Sequence, residues 1–219
     1  MINDINEENC ISTSNFLNSK FGENTSSYSV NSVSDEEGVN QMIKKTIEKF
    51  GGIDFLVNNA GILTPNRIPN ITLDEWKRVL DVSMTGTFLC SQKVIEHMKK
   101  RKGGRIVNFS STAGKNVSTI GGCHYTAAKA GILGITRSFA KEFAGDNILV
   151  NSVCPGLIQT DMVTKTISKE QMENYAKSFP IPRLGTSEEV VNLVLFLLSE
   201  KSSYITGASL DINGGALMV

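Results

Sequence analysis

The residues best suited to acid–base chemistry meet at Tyr125-Thr-Ala-Ala-Lys129, where a phenol and an ammonium stand four positions apart. On a helix that spacing puts both groups on one face. A free tyrosine titrates near pH ~10, so proton transfer near neutrality requires its phenolate to be stabilised by roughly 3 units, or about 4 kcal/mol. A neighbouring ammonium stabilises it in that direction. Alone the pattern is weak, because Tyr and Lys also meet at this spacing by chance, as a half-buried ring beside a solvated amine. Its weight rises because Ser110 and Ser111 directly follow the β-branched run Arg105–Phe109. That is the carboxyl end of a candidate strand, where ligands bind in open parallel sheets. A hydroxyl there can reach a substrate carbonyl.

Two further clusters also sit just past a strand. Asn58-Asn59-Ala60-Gly61 follows Phe55–Val57, and its small residues let a flat or charged ligand approach the backbone; an ordinary tight turn is the competing reading. Pro155-Gly156-Leu157-Ile158-Gln159-Thr160 follows Leu149–Val153, with Pro fixing the exit and Gly permitting an unusual backbone angle. A plain loop start would use the same residues.

The elements that must position these groups alternate in type. From about Tyr28 onward, short runs rich in Val, Ile or Phe (Tyr28–Asn31, Phe55–Asn58, Arg105–Phe109, Leu149–Val153 and Ser209–Ile212) are separated by longer segments of helical period. The pattern predicts an α/β fold, a doubly wound parallel sheet covered on both faces. Val39, Met42, Ile43, Ile47 and Phe50 mark one helix, with Ser34 and Glu37 placed as its capping box. Thr72 with Glu75 and Thr186 with Glu189 carry the same start signal, the first opening a long helix through Met98 on which Trp76, Phe88 and Leu89 are expected to face the core. His97 reads as part of a basic helix end, and His124 as a bystander or pocket rim beside Tyr125. Residues 1–27, rich in Asn, Ser and Glu, predict at best a poor helix, with Cys10, Ile11, Phe16, Leu17 and Phe21 as its only apolar stripe.

Composition limits the function classes. At 219 residues one domain spanning the chain is expected. Lys plus Arg and Asp plus Glu each total 22, so no basic field draws in nucleic acid or an anionic membrane. Cys10, Cys90, Cys123 and Cys154 form no CxxC pair and are expected to be buried free thiols, with no metal site. The longest apolar stretch, Val190–Leu198, is far short of a bilayer span, so a soluble, cytoplasmic protein is expected.

In this order, NNAG at Asn58–Gly61, the Ser111 loop, YxxxK at Tyr125–Lys129, PGLIQT at Pro155–Thr160 and the tail from Tyr204-Ile-Thr-Gly207 through Asp211-Ile-Asn-Gly-Gly215 resemble the short-chain dehydrogenase/reductase family. The likeness runs from about residue 28 to the C-terminus and is nearest to 3-oxoacyl-acyl-carrier-protein reductases. It implies a Rossmann-type sheet and hydride transfer between a nicotinamide and a carbonyl or alcohol carbon, with Tyr125 passing the proton. Lys129 is implied to lower the tyrosine pKa and hold the nicotinamide ribose, and Ser111 to polarise the substrate oxygen. Ser83 stands where the family has a fourth catalytic residue, an Asn; the shorter hydroxyl implies slower proton exchange. The implied cofactor contacts are Asp4, Ser32, Val33, Asn58, Ala60, Gly61, Pro155, Gly156, Ile158 and Thr160, besides Tyr125 and Lys129. Ser32 replaces the family's adenine-contacting Asp.

Asp4, at the end of a remnant second strand, is implied to take the adenosine ribose, which favours NAD over NADP because a carboxylate repels a ribose phosphate; the alternative is an acid in a loose terminus. Residues 1–27 are accordingly expected to be an irregular remnant of that strand and its helix. No glycine-rich phosphate turn lies upstream of Asn58, where the family places one, so roughly thirty residues are expected to belong further upstream. The implied partners are a small carbonyl or alcohol substrate, possibly acyl-carrier-bound, and further copies in a homodimer or homotetramer. Substrate choice is implied to lie in Met162–Pro182 and Lys115–Cys123. The competing reading is a truncated, non-catalytic homologue acting as a binding or assembly subunit.

Overall fold

A strand with helices over both faces is buried on both and rich in Val, Ile and Leu. Two runs in the chain, although they also carry Arg105, Asn108, Asn151 and Ser152, fit that burial. In the computed structural model, which describes residues 1–219, these are β4 (Gly104–Phe109) and β5 (Ile148–Pro155), buried along nearly their whole length. They form the middle of a four-stranded parallel sheet of order β3-β4-β5-β6, with β3 at Phe55–Asn58 and β6 at Ser209–Ile212. The register sets Asn58 beside Asn108, Phe109 beside Val153 and Pro155 beside Ile212. Three carboxyl ends, carrying Asn58–Gly61, Ser110–Ser111 and Pro155–Thr160, therefore open side by side.

Helices cover both faces, as predicted. On one side, α2 (Glu36–Phe50), α4 (Gly86–Lys100) and α5 (Cys123–Phe143) close the main core, in which Val39, Met42, Val94 and Met98 meet Ile106, Ile148 and Val150. On the other side, Val194 and Leu197 of α8 (Ser187–Leu198) pack on Val107 and Val153. The remaining helices are α1 (Glu7–Phe21), α3 (Leu73–Leu80) and the short α6 (Asp161–Thr164) and α7 (Lys169–Ser178).

Several local expectations change. The first 21 residues are regular: β1 (Ile2–Asp4) leads into a 15-residue helix α1, whose cap Asn6 accepts the Asn9 N–H at 2.9 Å. Most of the apolar stripe does not seat α1, since Ile11, Phe16 and Phe21 are exposed; of that stripe only Cys10 is fully buried, together with Ser14, which is bonded to Ser26. Asp35, not Ser34, caps α2, because a carboxylate one residue nearer accepts the Glu37 N–H while the Ser34 hydroxyl pairs with Ser32. Thr186 and Glu189 do form the full capping box, but Glu75 leaves Thr72 unreciprocated because its carboxylate is engaged elsewhere. The long helix is interrupted by a π-turn at Asp81–Thr85. Phe88 is exposed rather than in the core, where Cys90, Val94 and Met98 of the same helix lie instead.

β1 pairs in parallel with β2 (Tyr28–Val30) in a two-stranded sheet of its own. β3 is thus a free edge of the larger sheet, with Phe55 56% and Val57 40% exposed. Strands β1 and β3 both border one cavity of about 1580 Å³.

Candidate functional site

The turn after β4 and the first turns of α5 build the centre of the site. Ser111 leaves β4 in an extended conformation and its hydroxyl caps the short turn Thr112–Gly114, accepting the Ala113 N–H at 3.1 Å. Gly114 lets that turn lie against α5: a Cβ there would come within 2.6 Å of the Lys129 carbonyl oxygen. Ser110 reinforces the contact, donating to the same oxygen at 2.7 Å. These contacts bring Ser111 to the face of α5 that bears Tyr125 and Lys129.

Lys129 is 5% exposed, and its ammonium donates to the Phe109 carbonyl at 2.7 Å and lies 5.6 Å from the centroid of the Tyr125 ring. Burial pulls its pKa down to about 8, opposed by a neighbouring cysteine, Cys154. The half-buried Tyr125 phenol is pushed above its ordinary value by desolvation, while a hydrogen bond from Ser111 pulls it down. In the protein alone, desolvation outweighs the stabilisation expected of the phenolate.

Ser83 is fully buried and sits behind Gly61, within the π-turn that redirects its helix, and its Oγ accepts the Ile62 N–H at 3.4 Å. π-turns interrupt helices frequently at functional sites. Gly61 leaves a cradle that a Cβ would fill, 3.4 Å from both Lys129 Nζ and Ser83 Oγ. Asn58 turns inward, donating to Ser91 at 2.9 Å and Asn108 at 2.8 Å, so its side chain locks β3 to α4 and β4 while its backbone borders the cavity. Gly156 is a close approach, where a Cβ would stand 2.9 Å from Asn213. Ile158 bridges to Gly185, and Thr160 precedes α6.

All the residues expected to catalyse or bind, except Ser83, line the one cavity: Asp4, Ser32 and Val33 at one end, Ser111, Tyr125 and Lys129 at the other, with Asn58, Ala60, Gly61, Pro155, Gly156, Ile158 and Thr160 also on its wall. A nicotinamide and its ribose fit the Lys129 end, where two of the three ammonium protons remain for a ligand beside the open Gly61 cradle. Between β1 and β3 the fit is poorer. There the wall is strand edge, with Asn3 Oδ1 buried and unpartnered, and no glycine-rich turn offers amides to a pyrophosphate.

A sequence model of the enoyl-(acyl carrier protein) reductase family matches residues 1–216. The 3-oxoacyl-[acyl-carrier-protein] reductase of Aquifex aeolicus is 46% identical over 180 residues, 82% of this chain and 72% of its own length. The chain belongs to the short-chain dehydrogenase/reductase family. A crystal structure of a 3-oxoacyl-[acyl-carrier protein] reductase from Brucella melitensis superposes with a TM-score of 0.91 at 36% identity, and one from the same organism with bound NAD at 0.88 and 35%. Each comparison covers 100% of this chain and 81% of the other. As a short-chain dehydrogenase/reductase the protein is an enzyme, an NAD(P)-dependent oxidoreductase similar to 3-oxoacyl-acyl-carrier-protein reductases; the comparisons give no support to a non-catalytic assembly subunit. No helix is long and apolar enough to cross a membrane.

The sequence reading missed one group. His124 is completely buried, with its ring nitrogens bonded to Glu75, Thr64 and the Tyr125 backbone. The available signal was His124 beside the phenol together with the carboxylate of Glu75, which the cap pattern had assigned elsewhere.

Proposed function

We propose that this chain reduces the ketone of a 3-oxoacyl thioester, or oxidises the matching secondary alcohol, in the cytoplasm, with Tyr125 as acid–base residue. The observation that carries this reading is the convergence of Ser111, Tyr125 and Lys129 on one end of the cavity that also holds Asp4. A bound nicotinamide supplies or takes up the hydride. The chain's own work is to orient and protonate. The Ser111 hydroxyl donates a hydrogen bond to the ketone oxygen, raising its readiness to accept charge. The Tyr125 hydroxyl gives that oxygen its proton, and Lys129 stabilises the resulting phenolate and holds the nicotinamide ribose. Ser83, behind Gly61, supports the return of a proton to Tyr125.

Asp4 ends β1 exposed on the cavity wall, where its carboxylate favours a free ribose 2′-hydroxyl and so NAD over NADP. Ser32, Val33, Asn58, Ala60, Gly61, Pro155, Gly156, Ile158 and Thr160 complete the cofactor wall. A homodimer or homotetramer is formed through α4 and α5, a reading supported by Phe88, 38% exposed on α4 and packed edge-on at 6.1 Å against Phe139 of α5. Titration calorimetry with NADH and NADPH, followed by absorbance assays on an acetoacetyl thioester, tests the whole. Micromolar NADH binding with turnover is expected, whereas binding of neither coenzyme at millimolar concentration overturns it. Light scattering that returns a monomer removes the assembly.

A further inference from the structure

The helix that carries Tyr125 begins without a conventional cap. Gly122 occupies the cap position of α5 and has no side chain to offer the first amides. Nδ1 of the buried His124 stands in, accepting the Tyr125 backbone N–H at 2.9 Å, an amide shared with the Gly122 carbonyl at 3.1 Å. A ring nitrogen that accepts carries no proton, so the neutral ring holds its proton on Nε2. That nitrogen lies 3.0 Å from Glu75 Oε1 and 2.7 Å from Thr64 Oγ1.

Glu75 is an acceptor throughout this cluster. The Thr64 hydroxyl donates to it, and Asn66 Nδ2 reaches both its oxygens at 3.1 and 2.9 Å. Hydrogen bonds from Thr64, His124 and Asn66 hold its carboxyl down to about 2. The packing has no slack, since a Cβ at Gly122 would strike the Asn66 carbonyl at 2.4 Å and His124 Cε1 at 2.6 Å. Ile62 and Leu63, which lead into Thr64, line the cavity. A continuous hydrogen-bonded path thus joins the cavity wall, α3 and the amide of Tyr125.

We propose that His124 is a positioning residue: through Glu75 and Thr64 it fixes the first turn of α5 to the segment Ile62–Asn66, which enters from the cavity wall at Ile62 and Leu63, and so holds the Tyr125 phenol in register with Ser111 and Lys129. This rests on the acid–base role proposed for Tyr125. A buried His–Glu pair can serve packing alone, but here the ring's acceptor is spent on the backbone of the reacting residue. The ionisable group that faces the His124 ring is Glu75 from α3, and it remains in every variant described below.

Two substitutions separate the two ring nitrogens. His124→Asn keeps an oxygen near the Nδ1 position and loses reach to Glu75, while His124→Gln keeps a donor near Nε2 and loses the acceptor for Tyr125. Long-range nitrogen NMR of the native ring is expected to show the Nε2-protonated tautomer; a ring protonated on Nδ1 overturns the proposal. The labelled Cζ resonance of Tyr125, identified by its loss in Tyr125→Phe, should titrate about half a pH unit away from native in His124→Gln and close to native in His124→Asn.

In turnover, His124→Gln is expected to lower kcat about tenfold at unchanged coenzyme KM, with His124→Asn recovering most of it. Thr64→Val, outside the core, should fall between them. Asn and Gln variants that behave alike in both the Tyr125 titration and kcat overturn the positioning role. If the native chain reduces no carbonyl while the tautomer and the Tyr125 titration respond as expected, the proposed reaction fails and the positioning stands.

Discussion

The two sheets of this molecule meet the same cavity but are built differently. In the larger, β4 and β5 are paired on both edges and buried under α4, α5 and α8, and every residue proposed for proton transfer except Ser83, which lies in the π-turn before α4, is attached to them or to α5. In the smaller, β1 and β2 pair only with each other over three residues, and α1 contributes Cys10 and Ser14 rather than large apolar side chains. The contrast separates two tasks. Proton transfer demands positions held to fractions of an ångström, which the larger sheet supplies. The Asp4 end needs only a charge and a wall.

The sharpest way to break this division is Tyr125→Phe, which should cut carbonyl reduction about 10³-fold while leaving coenzyme affinity within a few-fold. Turnover at the native rate would detach the chemistry from the larger sheet altogether. Lys129→Met should lose about 100-fold in activity and yet gain stability. The sign follows from burial. With its pKa held to about 8 against an ordinary 10.5, the lysine is neutral in the fold and charged in the unfolded chain between those values, so native stability rises with pH across that window. Below it the buried charge costs roughly 3 kcal/mol. Chemical denaturation at pH 7 and pH 10 should show the rise in the native protein and its absence in the Met variant.

Hydrogen exchange compares the sheets directly. Amides of β1 and β2 should exchange about 30-fold faster than those of β4 and β5, because fewer buried contacts oppose their opening. Equal protection would mean that the smaller sheet is locked to the larger. The smallest effect is expected at Ser83→Asn, a rise in turnover of about threefold from a longer side chain serving proton return to Tyr125. A steady-state kcat unchanged or lowered counts against a relay through this position.

Much of the larger sheet was legible because its residues obey local rules. Val, Ile and Phe in short runs cannot satisfy a helical stripe, and the turns after them carry Asn-Ala-Gly, Ser-Ser or Pro-Gly, so the strands and the ligand-facing ends were readable together. The N-terminal region was not, since α1 is seated by Cys10 and a Ser14–Ser26 hydrogen bond, which leave no periodic apolar trace. The π-turn that buries Ser83 is likewise silent in the residue pattern.

By itself the sequence determined the α/β order, the family resemblance and the set of side chains able to carry a proton, because these follow from residue type and spacing along one strand or helix. Only the tertiary structure decided which groups share a wall, that desolvation and not Lys129 dominates the Tyr125 phenol, and that Glu75 serves His124 instead of its own helix cap. Burial and hydrogen-bond choice depend on neighbours distant in the chain: His124 and Glu75 are 49 positions apart and 3.0 Å in space.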